Sequence, residues 1–215
     1  MKIQKWVARF VMSVIAPLAS AAGETGLYGA IDVGQSKAKG YCDLSAAEYV
    51  AMGVTSLSCG DTATGYRITL GYQADKHFSG EAGYFSAGKV STNLTGDYSS
   101  VPSVPYTSVV STKVSAWQFA AIGSWPVADR FSVFGKVGMS FWDVLSSMNI
   151  STASVTAPGN GGATGTDFLW GLGGKYDIDN AVGIRAQYES SKAGKEDTTG
   201  RGSVDFLSVG LVYKF

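Results

Sequence analysis

The 215-residue sequence is poor in the side chains that most often bind metals or activate nucleophiles. It contains a single histidine, His77, and only two cysteines, Cys42 and Cys59. A protein-bound metal ion needs several His or Cys companions close together, so this scarcity argues against a metal site. It also argues against a nucleophile activated by a neighbouring histidine. We therefore expect no metal, no cofactor and no enzymatic activity.

A short N-terminal segment has the three parts of a secretory signal peptide. Lys2, Lys5 and Arg9 form a basic start, residues 10–18 are apolar, and 19–21 (Ala-Ser-Ala) match a small-residue cleavage site. We therefore predict a signal peptide at 1–21. Residues 22–215 then form the mature chain, which is long enough for one domain.

The mature chain has neither a strong net charge nor a long apolar run. Loss of the three basic residues in the signal peptide leaves 14 Lys and Arg against 17 Asp and Glu, a net charge of −3. That mild balance argues against nucleic acid as a partner. No later segment approaches the roughly 20 apolar residues of a transmembrane helix. The chain is thus either soluble in the periplasm or crosses a membrane as strands.

The two cysteines are the remaining feature of composition with a structural meaning. An even pair in an exported chain predicts one disulfide, between Cys42 and Cys59. Both residues fall in one predicted connection, 36–63, so the bond would staple that loop and not the core.

Alternation of apolar and polar residues predicts strands throughout the mature chain. At the C-terminus, Leu207, Val209, Leu211, Tyr213 and Phe215 alternate with smaller or polar residues. This period of two places one set on each face of a strand. The same reading predicts eight strands, at 26–35, 64–73, 78–89, 115–125, 130–142, 166–176, 181–190 and 204–215.

The connections between these strands alternate in length. Long polar connections at 36–63, 90–114, 143–165 and 191–203 alternate with short turns at 74–77, 126–129 and 177–180. Outer-membrane barrels have long external loops and short periplasmic turns. The pattern predicts an all-β, eight-stranded, antiparallel up-and-down transmembrane barrel with both termini in the periplasm.

The alternative is a soluble up-and-down barrel of the lipocalin type. Its outer face would carry many charges, whereas here the polar face has about one charge per strand among small residues. Trp117 and Trp125 lie on one face of a strand, about 19 Å apart along the membrane normal. That spacing approximates the two aromatic girdles that flank an apolar band of about 25 Å. We predict girdles formed by Tyr66, Tyr72, Trp117, Trp125, Phe131, Phe141, Phe168, Tyr176, Tyr213 and Phe215.

Four segments together resemble the transmembrane domain of the OmpA family and its small relatives. They are 26–34 (GLYGAIDVG), 66–72 (YRITLGY), 184–188 (IRAQY) and the closing 210–215 (GLVYKF). The resemblance implies a Gram-negative outer-membrane protein whose terminal Phe215 is similar to the signal that the barrel-assembly machinery reads. It implies periplasmic chaperones as further partners during biogenesis. The peptidoglycan-binding domain of longer members has no counterpart here, so peptidoglycan tethering is not expected.

Eight charged side chains are predicted to face the lumen. An unpaired buried charge is very costly, so these charges must pair or be hydrated. In the family that the chain resembles, inward Arg, Lys and Glu pairs plug or gate the lumen, and Arg185 lies at a matching position. Two roles stay open, a filled barrel interior or a narrow, switchable ion pore. The predicted set is Asp32, Arg67, Glu81, Lys136, Lys175, Arg185, Glu189 and Lys214.

The leading functional hypothesis is a structural outer-membrane barrel that supports envelope integrity, with slight pore activity as an addition. Its lipid partners would include lipopolysaccharide. A second hypothesis is an adhesin or host-interaction barrel, because long loops on rigid scaffolds commonly carry binding. Tyr49, Tyr98 and Tyr106 are the loop aromatics that would contact a surface ligand. A third is an outer-leaflet lipid A-modifying enzyme, which the position of His77 in a short turn disfavours.

Overall fold

The computed structural model describes residues 25–42, 53–98, 104–193 and 202–215. The predicted signal peptide and Tyr49 lie outside these ranges. Nine strands fill most of the described chain: β1 (Gly26–Lys39), β2 (Val54–Gly60), β3 (Thr62–Gln73), β4 (Phe78–Tyr98), β5 (Val104–Ala128), β6 (Phe131–Thr152), β7 (Thr156–Asp177), β8 (Val182–Ala193) and β9 (Gly202–Lys214). The described ranges include no helix of the length and apolar character needed to cross a membrane.

Eight of the strands close into a ring of antiparallel pairs. The order is β1-β3-β4-β5-β6-β7-β8-β9, and β9 pairs again with β1. This confirms the predicted eight-stranded antiparallel barrel. The ninth strand, β2, lies in the predicted first loop and pairs with the far end of β4, from Val54 opposite Gly96 to Gly60 opposite Ser91. It continues the line of β3, which pairs with the first half of β4.

The predicted long connections 90–114 and 143–165 are wrong in most of their length, because these residues are largely strand. The β4–β5 ladder continues to Tyr98 opposite Val104, and the β6–β7 ladder continues to Ser151 opposite Thr156. Strands β4 to β7 have 21, 25, 22 and 22 residues, against 12 to 14 for β1, β3, β8 and β9. Beyond the membrane neither face of these hairpins needs to be apolar, so Ser, Thr and Gly replace the alternation that marks a half-buried strand.

A bulge at Gly88 reverses the alternation of β4. The register with β5 shifts between Ser86 and Lys89, and Gly88 has a φ of +81°. A Cβ at this position would also collide with the carbonyl oxygen of Thr64. Glycine adopts this left-handed backbone at no steric cost, as the bulge requires. Odd-numbered residues of β4 face inward before the bulge, and even-numbered residues such as Val90 are buried after it.

The outer face of the barrel is apolar and the inner face is polar. All ten aromatic residues predicted for the girdles point outward, with 41–70% of their surface exposed. Buried positions of the same strands carry charges, amides and hydroxyls, including Asp32, Arg67 and Gln187. A soluble barrel has the opposite distribution, which it needs to bury its apolar side chains away from water.

The predicted disulfide is present. Cys42 follows β1 and Cys59 lies in β2, and their Cα atoms are 5.9 Å apart. The bond therefore attaches the end of β1 to the strand that extends the edge of β4, outside the closed ring.

Candidate functional site in the barrel lumen

Six of the eight predicted lumen charges form a closed ring of ion pairs across the barrel. Each member contacts two members of opposite charge, and every side chain is at most 5% exposed. Three positive and three negative groups give the ring a net charge of zero. Around the ring the order is Asp32, Arg67, Glu189, Lys136, Glu81, Arg185 and back to Asp32; we call these six residues the lumen ring.

Asp32 of β1 is the most heavily bonded carboxylate of the lumen ring. Arg185 of β8 donates from Nε to Asp32 Oδ1 at 2.8 Å and from Nη2 to Oδ2 at 2.7 Å. Arg67, directly opposite Asp32 on β3, donates from Nε and Nη2 to Oδ2 at 3.1 and 2.9 Å. Gln187 adds a fifth hydrogen bond at 3.0 Å. The planar fork of an arginine suits this two-point contact in a way that lysine does not.

The other half of the lumen ring joins β4, β6 and β8. Arg185 Nη1 lies 2.5 Å from Glu81 Oε1, and Lys136 Nζ lies 3.1 Å from Glu81 Oε2. Lys136 also lies 2.7 Å from Glu189, which in turn contacts Arg67. Tyr28 lies in the short-turn half of the barrel, and its hydroxyl donates a hydrogen bond of 3.1 Å to Glu81. These contacts cross the lumen, so the ring ties together strands that are not neighbours in the sheet.

Gly210 makes room for this arrangement. It lies between Asp32 and Arg185 in the sheet, paired with Asp32 of β1 on one side and with Arg185 of β8 on the other. A Cβ at Gly210 would collide with Asp32 Oδ1 and lie 2.6 Å from the carbonyl oxygen of Ile31. The missing side chain lets the arginine reach over β9 to the carboxylate.

A cluster of buried apolar side chains lies in the lumen beside the ring. Phe85, Trp142 and Phe206 are 2–4% exposed and pack in one cluster with Ala87, Ala116 and Val204. The rings of Phe85 and Phe206 have centroids 5.0 Å apart. Trp142 donates its indole N–H to Asp167 at 3.0 Å, which satisfies its one polar group. We call this cluster the apolar plug.

The apolar plug lies on the long-connection side of the lumen ring. Phe85 follows Glu81 by four residues on β4, and Phe206 precedes Gly210 by four on β9. Trp142 follows Lys136 by six residues on β6. At about 3.3 Å per residue and roughly 45° tilt, these same-strand offsets are about 9–14 Å along the barrel axis. Glu189 of the lumen ring is directly opposite Phe206 in the β8–β9 register, so the ring and the plug adjoin on that side of the barrel.

The last two predicted lumen charges do not belong to the ring. Lys175 and Lys214 both contact Asp177, at 3.4 and 3.2 Å, near the short-turn end of the barrel. Their side chains are 20% and 34% exposed, so water reaches them. These residues form a separate, partly hydrated group.

His77 lies in the short β3–β4 turn, and its Nδ1 is 3.1 Å from the carbonyl oxygen of Ser124. In the described part of the chain, no three His, Cys, Asp or Glu residues converge as metal ligands. Of the predicted surface aromatics, Tyr106 is half-buried in β5 and not exposed as predicted, since it lies against Gly96 of the neighbouring strand. Tyr98 ends β4.

Sequence reasoning missed the apolar plug and the accessory residues Tyr28, Gln187 and Gly210. One signal was available for the plug. Trp142 and Phe206 occupy inward positions in their strands, two residues from buried Ser140 and Ser208, where a lumen lined only by polar groups would have no large aromatic. Phe85 gives the same signal, because it lies an even number of residues from Glu81 on β4 and therefore faces the lumen on the same side of the strand.

The closed strand topology defines a β-barrel, and the chain belongs to the family of OmpA-like transmembrane domains. The family model matches residues 22–215, which is nearly the whole chain. The protein is thus an outer-membrane β-barrel, as its sequence predicts. No curated protein resembles it significantly in sequence.

Solved structures of small outer-membrane proteins are similar to this one at low identity. Neisserial surface protein A is 16% identical, with 88% of this chain and 97% of that one covered and a TM-score of 0.48. Ail, the attachment invasion locus protein of Yersinia pestis, is 12% identical over 87% and 98%, with a TM-score of 0.45. The N-terminal barrel of Pseudomonas aeruginosa OprF is 15% identical over 87% and 97%, with a TM-score of 0.41. These TM-scores lie below 0.5. The barrel fold is therefore assigned from the strand topology, and family membership from the match to the family model over residues 22–215.

Proposed function

We propose that this protein is a structural barrel of the outer membrane that supports envelope integrity and whose lumen is closed to ions. The observation that carries the proposal is the presence of two buried clusters in the lumen, the neutral lumen ring and the apolar plug. Neither cluster offers a hydrated path, because the ring side chains are at most 5% exposed and the plug aromatics at most 4%. Hydrophobic constrictions block ions by excluding water.

The lumen does not offer the groups that catalysis by a histidine-activated nucleophile needs. The six ring side chains pair with one another, and the single histidine of the sequence, His77, lies in the short β3–β4 turn. Asp32 and Glu81 are each held by two cations, so neither carboxylate is available as a base for a substrate. We accordingly propose a non-enzymatic role, with membrane lipid and lipopolysaccharide as its surroundings.

Single-channel recording in planar bilayers tests the closed lumen. Parent protein should give no conductance, and neither should Arg185→Ala or Phe206→Ala alone, because one cluster remains in each. The double variant should conduct. The matched control combines Arg185→Ala with Phe119→Ala, an outward phenylalanine that is 52% exposed. Stable conductance from parent protein would contradict the proposal.

Envelope integrity needs a cellular test. Deletion of the gene should raise sensitivity to detergent, and a folded Phe206→Ala variant should restore resistance as well as the parent does. Resistance unaffected by the deletion would contradict a structural role in the envelope.

The orientation of the barrel is also proposed, with termini and short turns in the periplasm. A cysteine introduced at Ser154, in the β6–β7 turn, should react with an impermeant reagent on intact cells. A cysteine at Asp129, in the short β5–β6 turn, should not. The reverse pattern would invert the orientation.

A binding role is the second candidate, and one observation favours it. Strands β4 to β7 project far beyond the apolar band, since Val104 is about 30 Å from Trp117 along the barrel axis. The paired strands form a rigid wall, which suits surface recognition better than a loose loop does. Truncation of the β6–β7 hairpin at Ser146–Gly161, joined by a short turn, should leave the barrel folded. Loss of adhesion to host cells after truncation would support this role, and unchanged adhesion would count against it.

A further inference from the structure

Two lysines of like charge face each other on the outer surface of the barrel. Lys89 of β4 and Lys113 of β5 are directly opposite in the strand register, and both are exposed. Like charges directly opposite in an antiparallel pair destabilise it. Within the ranges that the structure describes, neither lysine has a carboxylate within 4.0 Å. In the described part of the chain, no direct ion pair to a carboxylate offsets this repulsion.

The chain places Lys89 on this surface by means of the Gly88 bulge. Without the extra residue, position 89 would continue the inward face that Phe85 and Ala87 occupy. The bulge turns it outward, to the same side as Lys113. The pairing of the two charges thus depends on a local backbone feature with its own steric requirement at glycine.

The lysine pair lies just beyond the edge of the apolar band. Lys113 precedes Trp117 by four residues on β5, so the two residues are about 9 Å apart along the membrane normal. Trp117 is 59% exposed, and its ring packs edge-to-face on that of Tyr84 at 5.4 Å. Aromatic residues of this kind mark the headgroup level of a bilayer. Leu145, opposite Lys113 on β6, is 58% exposed and extends the apolar surface to the lysines.

We propose that Lys89 and Lys113 bind the phosphate of a membrane-lipid headgroup, with the acyl chains of that lipid against Trp117 and Tyr84 on the membrane side of the pair. An anion between two ammonium groups converts their repulsion into two charge-assisted hydrogen bonds. The flexible lysine stems can reach toward the headgroup layer from positions beyond the girdle. A lipid fits better than a soluble anion because the cationic pair borders an exposed apolar surface directly.

Two other lysines at the same end of the barrel provide a contrast. Lys37 lies 3.4 Å from Asp61, and Lys39 lies 2.5 Å from Asp205. These cations already have carboxylate partners in the protein. Like Lys89 and Lys113, they are cations with exposed side chains, so they are the control pair.

The test compares Lys89→Gln/Lys113→Gln with Lys37→Gln/Lys39→Gln in urea unfolding. Purified full-length protein is used in a non-ionic detergent, with phosphatidic acid, phosphatidylcholine or inorganic phosphate added. Without lipid, the first double variant should unfold at a higher urea concentration than the parent, because the repulsion is removed, and the control variant should not. Phosphatidic acid should stabilise the parent and the control variant, and the first double variant should lose that stabilisation.

Native mass spectrometry of the same samples gives a second readout. Phosphatidic acid adducts should persist on the parent and the control variant and fall on Lys89→Gln/Lys113→Gln. An equal fall on both double variants would overturn the proposal, since general surface charge would then explain binding. Equal stabilisation by phosphatidylcholine or by inorganic phosphate would overturn it as well, because the site would then not select a lipid phosphate.

Discussion

Removal of Arg185 should be among the most destabilising single substitutions in the barrel. Arg185→Ala deletes two hydrogen bonds to Asp32 and one to Glu81, all from a side chain that is 3% exposed. It also leaves the lumen ring with a net charge of −1. Removal of one partner from a buried pair typically costs about 3–5 kcal/mol.

The expected value for this lumen is about 3 kcal/mol, at the lower end of that range. Asp32 retains Arg67 and Gln187, and Glu81 retains Lys136 and Tyr28, so neither carboxylate is left without a donor. Water can also enter the space that the arginine vacates. The assay is reversible urea unfolding in detergent micelles, followed by tryptophan fluorescence.

Arg130→Ala is the matched control. Arg130 is exposed in the β5–β6 turn, and its Nη1 donates to the carbonyl oxygen of Ile178 at 3.2 Å. Its loss should cost no more than about 1 kcal/mol, as expected for an exposed hydrogen bond. If Arg185→Ala and Arg130→Ala lowered the unfolding free energy equally, the lumen ring would not be the buried, desolvated network described above.

Three further outcomes are expected. Gly210→Ala should lower the urea midpoint, because the new Cβ would collide with Asp32 Oδ1. Gly80→Ala is the control and should leave the midpoint unchanged, since no atom lies within 4 Å of its new Cβ. Equal midpoints for the two variants would contradict the close approach of Asp32 to Gly210. The double variant Cys42→Ser/Cys59→Ser should still insert and show the heat-modifiable gel mobility of a folded barrel, because the disulfide lies outside the ring of eight paired strands. Failure to insert would show that the disulfide is needed for barrel assembly. The backbone N–H groups of His77 and Phe78 donate hydrogen bonds to Asp75 and hold its pKa below the ordinary value. Those of Val182 and Ala181 do the same for Asp179. Since these pKa values are lowered on folding, the stabilisation is complete above the unfolded-state pKa and is lost as pH falls through the folded one. Asp75→Ala/Asp179→Ala should therefore flatten the loss of stability below about pH 4, measured as the unfolding midpoint against pH.

The membrane-spanning part of the fold is readable in the sequence, because lipid imposes a simple rule on it. Side chains that face lipid must be apolar, so apolar residues occupy every second position of these strands. Ile31 in β1, Leu70 in β3 and Leu211 in β9 are examples. Beyond the membrane that rule ends. The outer halves of β5 to β7 and the whole of β2 have water or polar neighbours on both faces, and their Ser, Thr and Gly residues carry no period. Only backbone pairing, continued from the barrel, makes them strands.

The charges of the lumen were predictable in kind but their partners were not. Parity in each strand places Asp32, Arg67 and Arg185 inward, and this follows from the pattern alone. Which cation meets which carboxylate depends on strand stagger and tilt, which the pattern does not contain. Lys175 shows the difference, since it shares inward parity with the ring but bonds Asp177 near the barrel end.

The alternating order of the lumen ring predicts that charge-balanced changes cost less than single ones. Removal of Asp32 and Arg185 together leaves Arg67, Glu189, Lys136 and Glu81 as a neutral, connected chain. Buried ion pairs can often be replaced by apolar residues with little loss, whereas a single unpaired charge is strongly destabilising. Asp32→Leu/Arg185→Met should therefore unfold at a urea concentration above that of Arg185→Met alone. A double variant as unstable as the sum of its singles would mean that the two residues contribute independently, and the ring would then be a set of separate contacts without shared neutrality.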